Sequence, residues 1–221
     1  MSIGDAEIKT QERVIRFFKD PEILGYQYIG NLSDQQNKNI KEDRLRQYLR
    51  LKGYADKLID AAVMQLHQEA GNLSRGVYDA NKTVYSRLKY GIPVSESPEK
   101  PPVTVELIDE TNPLNNDFAI AEEVTVVEQQ EKRPDLVIYL NGIAVAVIEL
   151  KRSSISVSEG IRQNLTNQKD SFIRGFFTTM QFCMAGNESE GLRYGTLLTG
   201  EKFYMEWKDD GFKEHEEERD P

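Results

Sequence analysis

Apolar residues recur at helical spacing from the N-terminus to about residue 90. Ile8, Val14, Ile15, Phe17 and Phe18 form a first stripe, and Leu45, Leu49, Leu58, Ile59, Ala62, Val63 and Leu66 continue it, with breaks at Gly53 and Gly71. These stripes predict helices whose apolar faces pack. The segment 92–102 (IPVSESPEKPP) cannot continue a helix and reads as a proline-rich connector. Beyond it the period changes to two. Val103, Val105 and Leu107 alternate with polar residues, and Phe118 to Val127 predicts a second strand. Val137 to Leu140 and Ile143 to Ile148 flank Asn141-Gly142, the strongest short-range hairpin signal a sequence carries. Ser156-Val157-Ser158-Glu159 has capping-box spacing and predicts a helix from about Val157 to Ile173. Further strands are expected at Phe182 to Ala185, Tyr194 to Thr199 and Phe203 to Trp207. The pattern gives an α/β (α+β) class: a helical region over 1–102, a mixed sheet flanked by helices over 103–208, and an acidic linker over 209–221.

The predicted hairpin gathers charge at its open end. Glu149 and Lys151 must project from one face of their strand, with Leu150 on the other. A minimal two-residue turn in unbroken register would pair Leu140 with Ile143 and set Asp135 opposite Ile148, on the wrong face. Asp135 and Glu149 become neighbours only with a three-residue loop closed by a left-handed Gly142, or with a bulge. Two carboxylates at that separation repel unless a cation lies between them. Oxygen donors suit Mg²⁺ or Mn²⁺; for zinc the chain offers only His67, His215 and Cys183 at unrelated places. Such an ion with Lys151 beside it points to phosphodiester hydrolysis. The plain alternative is a strand that begins with a Pro-Asp turn and ends in an exposed ion pair. Against it, Glu149 follows Ala144 to Ile148 with no polar break, and a buried strand end is an expensive place for an unpartnered charge.

The Asp135, Glu149, Lys151 pattern resembles the PD-(D/E)xK nuclease signature. The longer run from Arg133-Pro134-Asp135 through Glu149-Leu150-Lys151-Arg152-Ser153-Ser154 to Glu159-Gly160-Ile161-Arg162-Gln163-Asn164 resembles the N-terminal nuclease domain of type I restriction enzyme R subunits. Gln11 to Val14, Asn116-Asp117-Phe118, Glu122-Glu123-Val124, Phe176 to Thr179 and Gly191 to Gly195 extend the likeness along nearly the whole chain. The resemblance implies a restriction-endonuclease-like fold, with Asp135, Glu149 and the Leu150 carbonyl as metal ligands and Lys151 as the catalytic lysine. It places Gln163 in a Gln-x-x-x-Tyr motif, with Asn167 where the family has tyrosine. It also implies a glutamate on the first helix near the site, for which Glu12 is the candidate and Glu7 the competitor. The implied cofactor is Mg²⁺, with Mn²⁺ as a substitute. ATP would act only through a translocase domain joined to this one, and the implied partners are double-stranded DNA and the methyltransferase and specificity subunits.

Composition narrows the picture further. With 38% hydrophobic and 29% charged residues in 221, the chain reads as an ordinary globular protein. It has no apolar run of membrane-spanning length and no secretory signal, so no membrane partner and a cytoplasmic location are expected. Cys183, the single cysteine, cannot form an internal disulfide. The net charge of -9 is unevenly placed: residues 209–221 carry a net of -5, whereas 132–174 hold seven basic and four acidic residues. Arg133, Arg152, Arg162, Lys169 and Asn167 are the candidate DNA contacts, with weak binding expected from this chain alone. The glycines at 186 and 191 lack the Lys-Ser/Thr of a phosphate-binding loop, so that stretch reads as a turn and no ATPase site is expected. Two alternatives remain: a noncatalytic docking module, and a branched-DNA resolvase or repair nuclease.

Overall fold

The structure, a computed structural model, describes residues 3–208. Its elements run α1 (Ile3–Lys19), β1 (Gln27–Asn31), α2 (Glu42–Leu51), α3 (Asp56–Gly71), α4 (Val77–Tyr90), β2 (Ile92–Val94), β3 (Val103–Val105), β4 (Phe118–Glu122), β5 (Val126–Val127), β6 (Glu131–Lys132), β7 (Leu136–Leu140), β8 (Ile143–Leu150), α5 (Val157–Asn167), β9 (Phe182–Asn187), β10 (Gly191–Gly195) and β11 (Met205–Glu206). A seven-stranded sheet in the order β1-β4-β7-β8-β9-β10-β11 forms the centre, with β2-β3 and β5-β6 as small separate ribbons. The β1-β4 and β8-β9 pairs are parallel and the other pairs antiparallel, so the sheet is mixed, as the sequence predicts. No described helix is long and apolar enough to cross a membrane.

Both faces of the sheet are covered. Ala119, Ala121, Val137, Tyr139, Ala144 and Val147 pack with Phe176, Phe177 and Met180 on one face, and Ile120, Leu136, Ile138, Ile148 and Leu150 pack with Ile15 of α1 on the other. A third cluster joins α2, α3 and α4 to β2, β3 and Ile143, at the turn end of the β7-β8 hairpin.

That hairpin resolves the register question in favour of the bulge. Its turn is only Asn141-Gly142, both left-handed at φ 52° and 84°, and Leu140 pairs with Ile143. Tyr139 then faces Ala144 while Ile138 faces Ala146, which leaves Val145 unmatched. The extra residue turns the rest of β8 by one position. Leu136 therefore faces Ile148, and one step on Asp135 lies opposite Glu149. The turn is itself gripped: Asn141 Nδ2 donates to the Leu107 carbonyl at 2.8 Å, and a Cβ on Gly142 would lie 2.6 Å from the Lys41 carbonyl at the start of α2.

Several expected elements differ in extent. The largely helical N-terminal region contributes β1, a short and half-polar edge strand without clear alternation. The proline-rich connector folds back as β2 onto β3. The expected strand from Phe118 to Val127 breaks at Glu123, whose φ is 51°. Helix α5 stops at Asn167 rather than near Ile173, because the chain turns back to bury Ile173 with Phe176 and Phe177. The expected strand from Tyr194 to Thr199 is displaced: β10 ends at Gly195. Phe203, Met205 and Trp207 are 65%, 56% and 51% exposed, so their alternation marks no buried face. Gly186 to Arg193 is the β9-β10 hairpin, a turn as read. The acidic segment 209–221 lies outside the described residues.

Candidate active site

The open end of the β7-β8 hairpin brings Asp135 and Glu149 together. The Leu150 amide donates to Asp135 Oδ2 at 2.6 Å, which ties the carboxylate to the main chain of the neighbouring strand. Glu149 is fully buried. Its Oε2 accepts a hydrogen bond from Gln163 Nε2 at 2.6 Å, but no donor reaches its buried Oε1. Burial, and then the adjacent Asp135 carboxylate, push the Glu149 carboxyl well above the ordinary carboxylate range, while the Lys151 charge pulls it down. The half-buried Lys151 is held through its amide, which donates to the Gly186 carbonyl of β9 at 2.9 Å.

Helix α5 delivers Gln163. Its first turn is capped by Ser156, whose hydroxyl accepts from the Ser158 amide, and Glu190 Oε1 accepts from the Val157 amide at 3.0 Å. Gly160 lets the helix lie close on the sheet, since a Cβ there would sit 3.0 Å from Ala185 Cβ and 3.4 Å from Glu149 Cβ. Gln163 is thereby brought to Glu149. Asn167, one turn further on, is 2% exposed and belongs to the inner face of α5.

An open cleft of about 860 Å³ leads to Asp135 and is lined also by Glu12, Gln11, Glu122, Glu123 and Arg133. Glu12 is exposed on α1 and faces this cleft, whereas the side chain of Glu7 lies outside the described residues. The buried partner from α1 is Gln11, whose Nε2 donates to Glu122 Oε2 at 3.0 Å and to Glu123 Oε1 at 3.2 Å. Tyr28 of β1 donates to Glu122 Oε1 at 2.5 Å, and burial with this contact pushes its hydroxyl up to about 12. Neither hydrophobic period nor motif in the chain marks Gln11, Glu122, Glu123 or Tyr28 for these contacts. The adjacent Glu122-Glu123 at a strand end was the available signal.

The donor set suits a hard cation. An orphaned, buried carboxylate oxygen beside a second carboxylate is an arrangement that a divalent ion relieves. Among the described residues no three His, Cys, Asp or Glu side chains converge as metal ligands, so further donors would be main-chain carbonyls or water. Two of the four basic candidates are engaged. Arg133 pairs with Glu123, and Arg162 with both Glu159 and Glu201. Arg152 is half-buried and Lys169 is exposed.

Comparison with known proteins identifies the family of the chain. The family described as the type I restriction enzyme R protein N terminus matches residues 7–203. A type I restriction enzyme endonuclease subunit from Staphylococcus saprophyticus is 29% identical over 112 residues, 48% of this chain and 12% of that protein. Another, from Staphylococcus aureus, is 27% identical over 111 residues, again 48% of this chain and 12% of the relative. The matched segment is thus a small part of each relative's length.

Proposed function

Because the chain belongs to the type I restriction enzyme R protein N-terminus family, we propose that it is a metal-dependent endonuclease domain that hydrolyses DNA phosphodiester bonds. The observation that carries this reading is Glu149: a fully buried carboxylate with one orphaned oxygen, set against Asp135, which lines an open cleft. Buried charge of this kind costs stability unless a ligand completes it.

In this reading Asp135, Glu149 and the Leu150 carbonyl hold Mg²⁺, with Mn²⁺ able to replace it. Such an ion, when bound, would supply Lewis-acid polarisation of the phosphate and a more acidic water. Gln163 fixes the orientation of the Glu149 carboxylate, and the Leu150 amide does the same for Asp135. Lys151 places positive charge where the transition state gathers negative charge and orients the attacking water. Glu12 lines the same cleft from α1, and Arg152 and Lys169 are the basic candidates outside the Arg133 and Arg162 ion pairs that could meet phosphates. ATP would act through a translocase domain of the same subunit, alongside methyltransferase and specificity subunits. A cytoplasmic location follows from that assembly.

The test is nicking of supercoiled plasmid with Mn²⁺ at high protein concentration. Activity that falls at least about a hundredfold in both Glu149→Ala and Lys151→Ala is expected from the loss of a ligand and of a charge acting in the transition state. If the chain alone is silent, the same variants are assayed in the assembled complex with ATP. Full activity of either variant in the active preparation overturns the assigned site.

A further inference from the structure

The strand register brings three carboxylates abreast across β4, β7 and β8. Glu122 faces Leu136, and one step on Glu123 faces Asp135, its amide donating to the Asp135 carbonyl at 2.8 Å. Ala119 and Ala121 share a face with Val137, Tyr139 and Val147. An extended Glu123 would therefore add its side chain to the face that carries Asp135 and Glu149. It does not do so. At φ 51° its backbone is left-handed, a conformation that a glutamate seldom adopts and that clusters at functional sites. Its carboxylate meets Arg133 Nε at 2.7 Å and Gln11 Nε2 at 3.2 Å. Gln11, only 8% exposed, also holds Glu122 and so anchors the diversion to α1.

We propose that Glu123 sets the cation count of the site: its amide grips Asp135 while Arg133 and Gln11 hold its carboxylate out of the Asp135–Glu149 pair, which therefore takes one divalent ion. This inference rests on the metal-dependent reading above. Arg133 is accordingly a counter-ion for Glu123 before it is a contact for DNA.

Titration of the protein with Mn²⁺, followed by electron paramagnetic resonance, reads the stoichiometry without any turnover. The wild type is expected to bind one ion. Glu123→Gly keeps the left-handed backbone and the amide; it should also bind one, weakened by less than the tenfold or so that loss of a supporting contact can reach. The double variant Gln11→Ala/Arg133→Ala releases the carboxylate and is expected to bind a second ion, which disappears again when Glu123→Gln is added. Two ions in the wild type, one in the double variant, or a larger loss in Glu123→Gly overturns the inference. Circular dichroism melting checks the fold, and Arg133→Ala alone replaces the double variant if that fails to fold, with the same expectations. No Mn²⁺ uptake by the wild type, or undiminished uptake by Asp135→Ala, refutes the metal-dependent reading itself and removes the inference with it.

Discussion

At the scale of single residues, Glu149 links the site to the stability of the whole chain. Its folded-state affinity for a proton is raised by burial and by Asp135, so the native state binds more protons than the unfolded chain does. The sign follows. Its contribution is fully present below the unfolded carboxylate value and is lost as pH rises through the raised one, at up to about 1.4 kcal/mol per pH unit for one proton. Metal-free Glu149→Gln is therefore expected to melt higher than wild type near pH 8 and close to it near pH 4. Thermal melts in chelator across that range check this, and an equal shift at both pH values would contradict it. The type of residue at 149 was legible in the chain. Its orphaned oxygen was not, since satisfaction depends on which neighbours arrive.

At the scale of elements, the site depends on two local departures from regularity. The bulge at Val145 lets a two-residue Asn-Gly turn coexist with Asp135 opposite Glu149, and the unmatched residue is put to use: its carbonyl accepts from the Gln181 amide at 2.7 Å, at the entry to β9. The need for a bulge or a longer loop followed from parity alone; the choice between them required the docking of α2 on the turn. The second departure is Gly160, which sets the distance from α5 to β8. Gly160→Leu has no space against Ala185 and Glu149, so it is expected to lower stability by about 1–3 kcal/mol and to weaken Mn²⁺ binding as Gln163 draws away from Glu149. Denaturant melts and metal titration measure the two effects. Retained metal affinity in a destabilised variant would show that the Gln163 contact is dispensable. Where α5 ends was not legible, because Ile173 continues an apolar pattern that the structure uses in a turn packed on the sheet.

Across the whole molecule, charge limits what the chain does by itself. The net charge is -9, and three of the basic residues between 132 and 174 are already paired with carboxylates: Arg133 with Glu123, Arg162 with Glu159 and Glu201, and Arg174 with Asp170. Of the four basic candidates for phosphate contact, Arg152 and Lys169 lie outside these pairs. Binding to DNA in the absence of a divalent ion should therefore be weak, with a log-affinity against log-salt slope shallower than about -3, since each phosphate contact contributes about -0.9. Fluorescence anisotropy over a potassium chloride series tests this, and a slope of about -6 would mean that the pairs open to meet phosphates.

The sequence by itself determined the elements whose signals are local: the helical stripes, the Asn141-Gly142 turn, and the apolar β8 run ending in Glu149 and Lys151. Hydrophobic period and turn chemistry act over a few residues, so they can be read along the chain. Only the tertiary structure decided that β1 joins the sheet edge, that Gln11 is a buried contact from α1 beside the cleft-lining Glu12, and that the Glu123 carboxylate is bound by Arg133 and Gln11. Each of those outcomes is settled by groups distant in sequence competing for the same hydrogen bonds and the same buried space. Local pattern carries no record of that competition.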